Sequence, residues 1–84
     1  MTFYTYLLKS TSSLKVKTYV GYTNNIEKRL NQHNSNKGAK STKGYFWKLI
    51  YKKEFDTKSE AMSFEYKLKK NRNLRKKLLT LNKL

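Results

Sequence analysis

Three kinds of side chain in this sequence have the chemistry for a functional site, and the first is a carboxylate. Glu65 lies between Phe64 and Leu68. Ala61 lies one helical turn before it, so the spacing places Glu65 on the apolar stripe of a predicted helix. A carboxylate there is costly unless it is paired or binds a metal ion. An ion pair with one of the 17 lysines is the simpler explanation, and a metal-binding or catalytic carboxylate is the alternative.

The second candidate is the pair Arg29 and His33, which lie one helical turn apart. Arginine is scarce, with three copies against 17 lysines. Its planar guanidinium suits two oxygens of one phosphate group. A solvated surface arginine is the ordinary alternative, and a lone histidine is more often a surface or hydrogen-bonding residue than a ligand.

The third candidate is a set of tyrosines, Tyr4, Tyr6, Tyr19 and Tyr22, in two segments rich in strand-forming residues. A phenol carries a proton near neutral pH only if its pKa of about 10 is lowered, and neighbouring cations lower it. The alternative is that each ring packs in the core and leaves its hydroxyl group at the rim.

The net charge indicates the partner. The 84 residues hold 20 Lys and Arg against five Asp and Glu, a formal charge of +15. On one small domain this favours a polyanion, with nucleic acid first and an anionic membrane surface second. The basic segments 34–44 and 67–77 fit a surface that follows phosphates.

Without cysteine, a disulfide framework and a thiolate metal site are excluded. Short apolar runs and no signal peptide predict an intracellular, cytoplasmic protein without a membrane span.

The elements that position the first candidates follow from periodicity. Phe3 to Leu8 predicts a first strand, and the alternating segment from Leu14 to Tyr22 predicts a second, joined to it as an antiparallel hairpin. Asn24 as N-cap, with Glu27 three residues later, predicts the start of a helix that carries Arg29 and His33. The segment from Asn34 to Gly44 is predicted to be a mobile, basic loop.

The second half of the chain adds three elements. Tyr45 to Phe55 predicts a third strand. Thr57 and Glu60 form a capping box for a helix that runs to about Lys70, and 71–84 predicts a final amphipathic helix. The fold class is therefore α+β: a small three-stranded, mostly antiparallel sheet flanked by helices, in the order β-β-α-β-α plus a C-terminal helix. Residues 1–84 are expected to form one domain, with a core over 3–70 and a basic helical tail over 71–84.

In this order, the residues resemble the GIY-YIG nuclease domain. Tyr4-Thr5-Tyr6 lies in the first strand where that family has Gly-Ile-Tyr, and Tyr19-Val20-Gly21 closes the second. The run from Tyr19 to His33 matches the family pattern, with Arg29 ten residues after Tyr19, and Glu65 follows in the later helix. The resemblance spans residues 3–70 and is closest to the small standalone bacterial proteins related to the UvrC N-terminal domain.

The resemblance implies a metal-dependent endonuclease that nicks DNA or cuts particular DNA structures in repair or recombination. Tyr6 and Tyr19 would be the tyrosines of the two motifs, and one of them would deprotonate or position the attacking water. Arg29 would hold the scissile phosphate, and His33 would support the site. Glu65 would be the single protein ligand of Mg²⁺ or Mn²⁺. In a bacterium the protein would be associated with the nucleoid.

Other interpretations stay open. A non-catalytic nucleic-acid-binding module of the same fold has no use for a carboxylate on a core stripe. A small basic RNA-binding or ribosome-associated protein explains neither Glu65 nor the Tyr19 to Arg29 spacing. Several branches of the family carry an asparagine near the end of the core, for which Asn71 and Asn73 are the candidates. A protein partner would supply specificity, because so small a domain has little surface for sequence readout.

Overall fold

The computed structural model describes residues 2–10, 17–35 and 44–81. The elements in chain order are β1 (Phe3–Ser10), β2 (Thr18–Thr23), α1 (Ile26–Asn34), β3 (Trp47–Phe55), α2 (Lys58–Lys70) and α3 (Arg72–Leu81). The three strands form one antiparallel sheet in the order β2-β1-β3. The predicted α+β class, the three-stranded sheet and the order of elements are confirmed.

The central strand β1 divides the core between two faces of the sheet. Tyr6 packs with side chains of α1, whereas Leu7 packs with Leu68 of α2 and with leucines of α3. Because neighbouring residues of a strand point to opposite faces, α1 covers one face and α2 and α3 cover the other. The Thr5 hydroxyl donates to the carbonyl oxygen of Ala61 at 2.7 Å and ties β1 to α2.

The start of α1 differs from the sequence expectation by one residue. Asn25, and not Asn24, is the N-cap, because its side-chain Oδ1 accepts from the Lys28 N–H at 3.1 Å. Glu27 is then the second helical residue, so the predicted capping box with Asn24 is wrong. Thr23 supplies the physical reason: its Oγ1 accepts from the Asn25 N–H at 3.1 Å and holds the chain in a turn for one more residue.

The end of α1 is fixed to β3 by Asn34. Its Nδ2 donates to the Trp47 carbonyl oxygen at 3.0 Å, and its Oδ1 accepts from the Trp47 N–H at 2.6 Å. One amide side chain therefore replaces a rung of a sheet ladder and holds α1 against the sheet. Of the basic loop predicted over 34–44, Asn34 belongs instead to α1, and 36–43 lie outside the described residues.

Thr57 is confirmed as the N-cap of α2, and Glu60 reaches back to the Thr57 hydroxyl rather than to its backbone N–H. The Thr57 Oγ1 accepts from the Glu60 N–H at 3.2 Å and donates to the Glu60 carboxylate at 3.0 Å. β3 begins at Trp47 rather than Tyr45, and the described part of β2 begins at Thr18. No helix among the described residues is long and apolar enough to cross a membrane.

Candidate active site

One cavity at the edge of the sheet brings together most of the side chains that the sequence singled out. Its volume is about 330 Å³, and its lining is Tyr6, Tyr19, Gly21, Tyr22, Thr23, Arg29 and Glu65. Since β2 is an edge strand, α1 reaches the cavity from one face of the sheet and α2 from the other. Four of the five predicted site residues therefore meet here, and the fifth, His33, lies behind Tyr6.

The Tyr6 hydroxyl and the His33 Nε2 lie 2.9 Å apart, and both residues are buried. Burial, with a smaller contribution from the Arg29 charge, lowers the pKa of His33 to about 4. The ring is therefore neutral at pH 7. In the tautomer with its proton on Nδ1, Nε2 accepts this hydrogen bond from Tyr6. His33 thus holds Tyr6 in place, as a buried residue rather than the surface residue that a lone histidine usually is.

Burial also controls the pKa of the Tyr6 hydroxyl. It raises the pKa of Tyr6 to about 12, although a hydrogen bond with Arg29 acts in the opposite direction. The Arg29 cation does lower the pKa of Tyr6, as expected of a nearby cation, but desolvation outweighs it and the net pKa is raised. The charge of Glu65 raises the same pKa, which shows that this carboxylate is within electrostatic reach of Tyr6. Tyr19 is only half-buried, so it is the tyrosine of the pair that solvent water reaches.

Gly21 makes room for the Tyr6 ring. The two residues are direct partners across β1 and β2. A Cβ atom on Gly21 would lie 2.6 Å from Tyr6 Cζ and 3.1 Å from Tyr19 Cε2. Both distances are shorter than ordinary contact, so a side chain here would push the tyrosines apart. The sequence marked Gly21 only as part of a motif, and the structure supplies the steric reason for it.

Arg29 joins the two tyrosines from α1. Burial lowers the pKa of Arg29, but hydrogen-bonding and charge interactions with Tyr6 and Tyr19 together outweigh burial and raise the pKa above its ordinary value. The Arg29 Nη1 also donates to the Gln32 Oε1 at 3.0 Å. Guanidinium has five N–H donors in a fixed plane, so it can hold these partners and still offer donors to a phosphate. Sequence reasoning missed Gln32, for which the i,i+3 spacing from Arg29 was the available signal.

Glu65 is less buried than its position in the sequence suggested. Ala61 and Leu68 are the buried residues of α2, whereas the Glu65 side chain is 18% exposed at the margin of the apolar stripe. Its Oε1 lies 3.6 Å from the Nζ of Lys69, one turn further along. The simpler explanation, an ion pair, is therefore present. A pair this exposed is weak, so Lys69 holds the carboxylate only loosely.

The donors at this cavity fit a hard divalent cation. Mg²⁺ and Mn²⁺ prefer oxygen ligands, and Mg²⁺ keeps several waters when it binds one carboxylate and a substrate phosphate. Within 2–10, 17–35 and 44–81, no three His, Cys, Asp or Glu side chains cluster. Glu65 is the one carboxylate among the described residues that line this cavity, so it would be the acidic ligand of such an ion, with water and substrate to supply further ligands.

The two asparagine candidates do not join this site. The Asn71 Oδ1 accepts from the Leu74 N–H at 2.9 Å and caps α3. Asn73 lines a different concavity, together with Arg72 and Lys76. Neither is among the described residues that line the cavity of Tyr6 and Glu65.

Comparison with known proteins shows which proteins and which family this chain resembles. The chain is similar to a UPF0213 protein of Oceanobacillus iheyensis, with 45% identity over 67 residues that cover 79% of this chain and 74% of that protein. A UPF0213 protein of Bacillus licheniformis is 58% identical over 53 residues, which cover 62% of this chain and 55% of that protein. The solution NMR structure of a UPF0213 protein from Bacillus halodurans is 35% identical, with a TM-score of 0.54, and the match covers 96% of this chain and 85% of that one. The GIY-YIG catalytic domain matches residues 2–78, so this chain belongs to the GIY-YIG family of nuclease domains.

Proposed function

We propose that this protein is a divalent-metal-dependent endonuclease that hydrolyses DNA phosphodiester bonds. The observation that supports it most is the single cavity in which β1, β2, α1 and α2 each place one predicted site residue. Membership of the GIY-YIG family makes nucleic acid the substrate. The formal charge of +15 suits a polyanion.

Arg29 is the residue that we propose to hold the scissile phosphate. Its fork offers two parallel N–H groups to two phosphate oxygens, and its hydrogen bond to the Gln32 Oε1 restricts its orientation at the cavity before substrate binds. Donors fixed in this way stabilise the negative charge that develops on the phosphate in the transition state.

The tyrosines are proposed to position the attacking water. Tyr19 is the one that water reaches, so it contacts the nucleophile. Tyr6 is buried, with a pKa raised to about 12, so it acts as a neutral hydroxyl that His33 holds in place. This arrangement separates a tyrosine that meets water from one that orients its neighbours.

Glu65 is the residue that would hold Mg²⁺ or Mn²⁺. When bound, such an ion supplies positive charge to the phosphate and to the leaving 3′ oxygen. Lys69 would release the carboxylate, at small cost because their pair is exposed.

We further propose that the cleavage is a nick or a structure-dependent cut in DNA repair or recombination. So small a domain has little surface with which to read bases. Selectivity would then come from DNA shape or from a protein partner.

A non-catalytic nucleic-acid-binding module of the same fold is the second candidate. The ion pair between Glu65 and Lys69 favours it, because this pair gives the carboxylate a structural partner.

Cleavage assays separate the two candidates. Purified protein is incubated with supercoiled plasmid and with a branched DNA, each with Mg²⁺, with Mn²⁺ or with EDTA. The proposed nuclease converts plasmid to nicked or linear forms only with metal. Binding without cleavage under every condition would favour the non-catalytic module, and equal cleavage in EDTA would contradict metal dependence.

A further inference from the structure

A groove leads away from the candidate active site along α3. Tyr19 lines the cavity of the site and also a neighbouring concavity of about 240 Å³, which it shares with Lys69 and Arg75. Thr18 and Arg75 in turn line a third concavity of about 560 Å³. Because each concavity shares lining residues with the next, the three lie side by side. We name the part beyond Tyr19 the α3 groove, and its polar lining is Thr18, Lys69, Arg72, Asn73, Arg75 and Lys76.

The α3 groove has charge of one sign. Every charged side chain that lines it in the described part of the chain is a cation. Residues 66–84 hold eight Lys and Arg and no Asp or Glu, so Glu65 is the last acid in the sequence. Leu74 and Leu78 pack against the core and fix the rotation of α3, which keeps Arg72 and Lys76 exposed.

The wall of the groove nearest the site is held in place by Arg75. Its Nη1 donates to the Leu68 carbonyl oxygen at 2.8 Å and also to the Lys69 carbonyl oxygen. The guanidinium thereby binds the C-terminal end of α2, while Asn71 caps the start of α3. The remaining N–H groups of Arg75 are donors that are already ordered, so binding a phosphate there costs less side-chain entropy.

We propose that the α3 groove binds the phosphodiester backbone of the DNA strand whose scissile phosphate lies in the cavity, on one side of the bond to be cut. This inference rests on the proposed function. The occupant is indicated by the position of the groove next to the site, with which it shares Tyr19, and by its uniform positive charge. The ten residues of α3 span about 15 Å, which is about four nucleotides of axial rise in a DNA strand. Several consecutive phosphates can therefore contact the groove, and they set how the strand enters the site.

A pair of double variants with equal charge change tests the groove. The groove variant is Arg72→Gln with Lys76→Gln, and the control is Lys48→Gln with Lys58→Gln. All four residues are exposed, and Lys48 and Lys58 line none of the three concavities. Equal thermal unfolding midpoints show that both variants fold.

The readout is the binding of fluorescein-labelled duplex DNA in EDTA, measured by anisotropy over a series of NaCl concentrations. If two phosphate contacts are lost, the slope of log K against log salt becomes shallower by roughly 1.8 in the groove variant. The control should keep most of the wild-type slope. Equal slopes in the two variants would overturn the proposal that the α3 groove binds DNA. Metal-dependent cleavage by the wild type would still support the nuclease. If the wild type fails to cleave DNA but the groove variant still shows a shallower slope, the nuclease proposal is contradicted and the groove remains a DNA-binding surface.

Discussion

At the scale of single residues, Tyr6 has two partners that act on it in opposite ways. Burial, with smaller contributions from the charges of Tyr19 and Glu65, favours its neutral hydroxyl and prevails, whereas Arg29 stabilises its phenolate. His33 is neutral for the same reason, since burial disfavours its charged form. Tyr6 and His33 therefore form a hydrogen bond between two neutral groups, whereas the charged Arg29 and Glu65 line the cavity itself.

Burial of His33 gives the metal-free protein a pH-dependent stability. Its pKa in the folded state is about 4, against an ordinary value of 6.5, so the unfolded state binds more protons between these pH values. The contribution of His33 to the free energy of unfolding is complete above pH 6.5 and falls by about 3 kcal/mol as the pH drops to 4. Urea unfolding over this range measures it. His33→Gln should lose this part of the pH dependence, and an identical pH dependence in both proteins would contradict the buried neutral imidazole.

Arg29→Lys separates a phosphate clamp from a simple cation. An ammonium keeps the charge but cannot offer two parallel N–H groups, so turnover should fall by about 10²-fold or more. Binding of uncleaved DNA in EDTA should change little, because nineteen other Lys and Arg remain. The measurement is the single-turnover cleavage rate at saturating DNA, with Lys28→Arg, on the exposed face of the same helix, as the control. Equal rates in Arg29→Lys and wild type would remove Arg29 from the active site.

At the scale of elements, the pairing of β1 with β2 depends on one missing side chain. Gly21→Ala would place a Cβ 2.6 Å from Tyr6 Cζ and force the Tyr6 ring to shift, which disturbs its hydrogen bond with His33. Gly44→Ala is the matched control, because Gly44 has a φ of +84° and no described atom within 4 Å of the added Cβ. Each substitution should cost about 1–3 kcal/mol of stability, the first through overpacking and the second through backbone strain.

Cleavage distinguishes these two glycine variants. Gly21→Ala should lose most of its single-turnover rate, because Tyr6 and Tyr19 move. Gly44→Ala should keep its rate at a temperature where both proteins are folded. A wild-type rate in Gly21→Ala would show that the tyrosine positions do not matter for the reaction.

Elements with local signals were predictable from the sequence. Thr57 and Glu60 identified the start of α2 because both partners of that cap lie within one turn. The clamp of Asn34 on Trp47 was not predictable, since it joins residues 13 apart through tertiary structure. The irregular pairing at Leu7 and Leu8, where β3 supplies one extra residue, has no sequence signal either.

The candidate site was predictable in its members and less so in its environment. Residue type and spacing singled out Arg29 and Glu65, and the resemblance to the GIY-YIG family selected Tyr6 and Tyr19 from four tyrosines. The fold brings these four residues to one cavity. Helical periodicity overestimated the burial of Glu65, because the stripe of α2 is narrow and Glu65 lies at its margin. The burial of His33 depends on α1 packing across the sheet, which a helical spacing does not specify.

At the scale of the whole molecule, the positive charge predicts how DNA affinity responds to salt. If about five phosphates are engaged, log K should fall against log salt with a slope of about −4 to −5. The slope for the wild type comes from anisotropy titrations in EDTA. A nearly flat dependence would contradict polyanion binding as the main role of the +15 charge.

In the proposed nuclease, the cavity of Tyr6, Tyr19, Arg29 and Glu65 cleaves DNA with the help of a metal ion bound at Glu65. The most direct measurement compares single-turnover cleavage by the wild type, Glu65→Gln and the control Glu54→Gln, an exposed carboxylate on β3, in Mn²⁺ and Mg²⁺. Glu65→Gln removes one ligand charge at nearly constant volume, so metal-dependent cleavage should be abolished while DNA binding in EDTA persists. Glu54→Gln should cleave at the wild-type rate. Normal cleavage by Glu65→Gln would contradict the metal site and the account built on it.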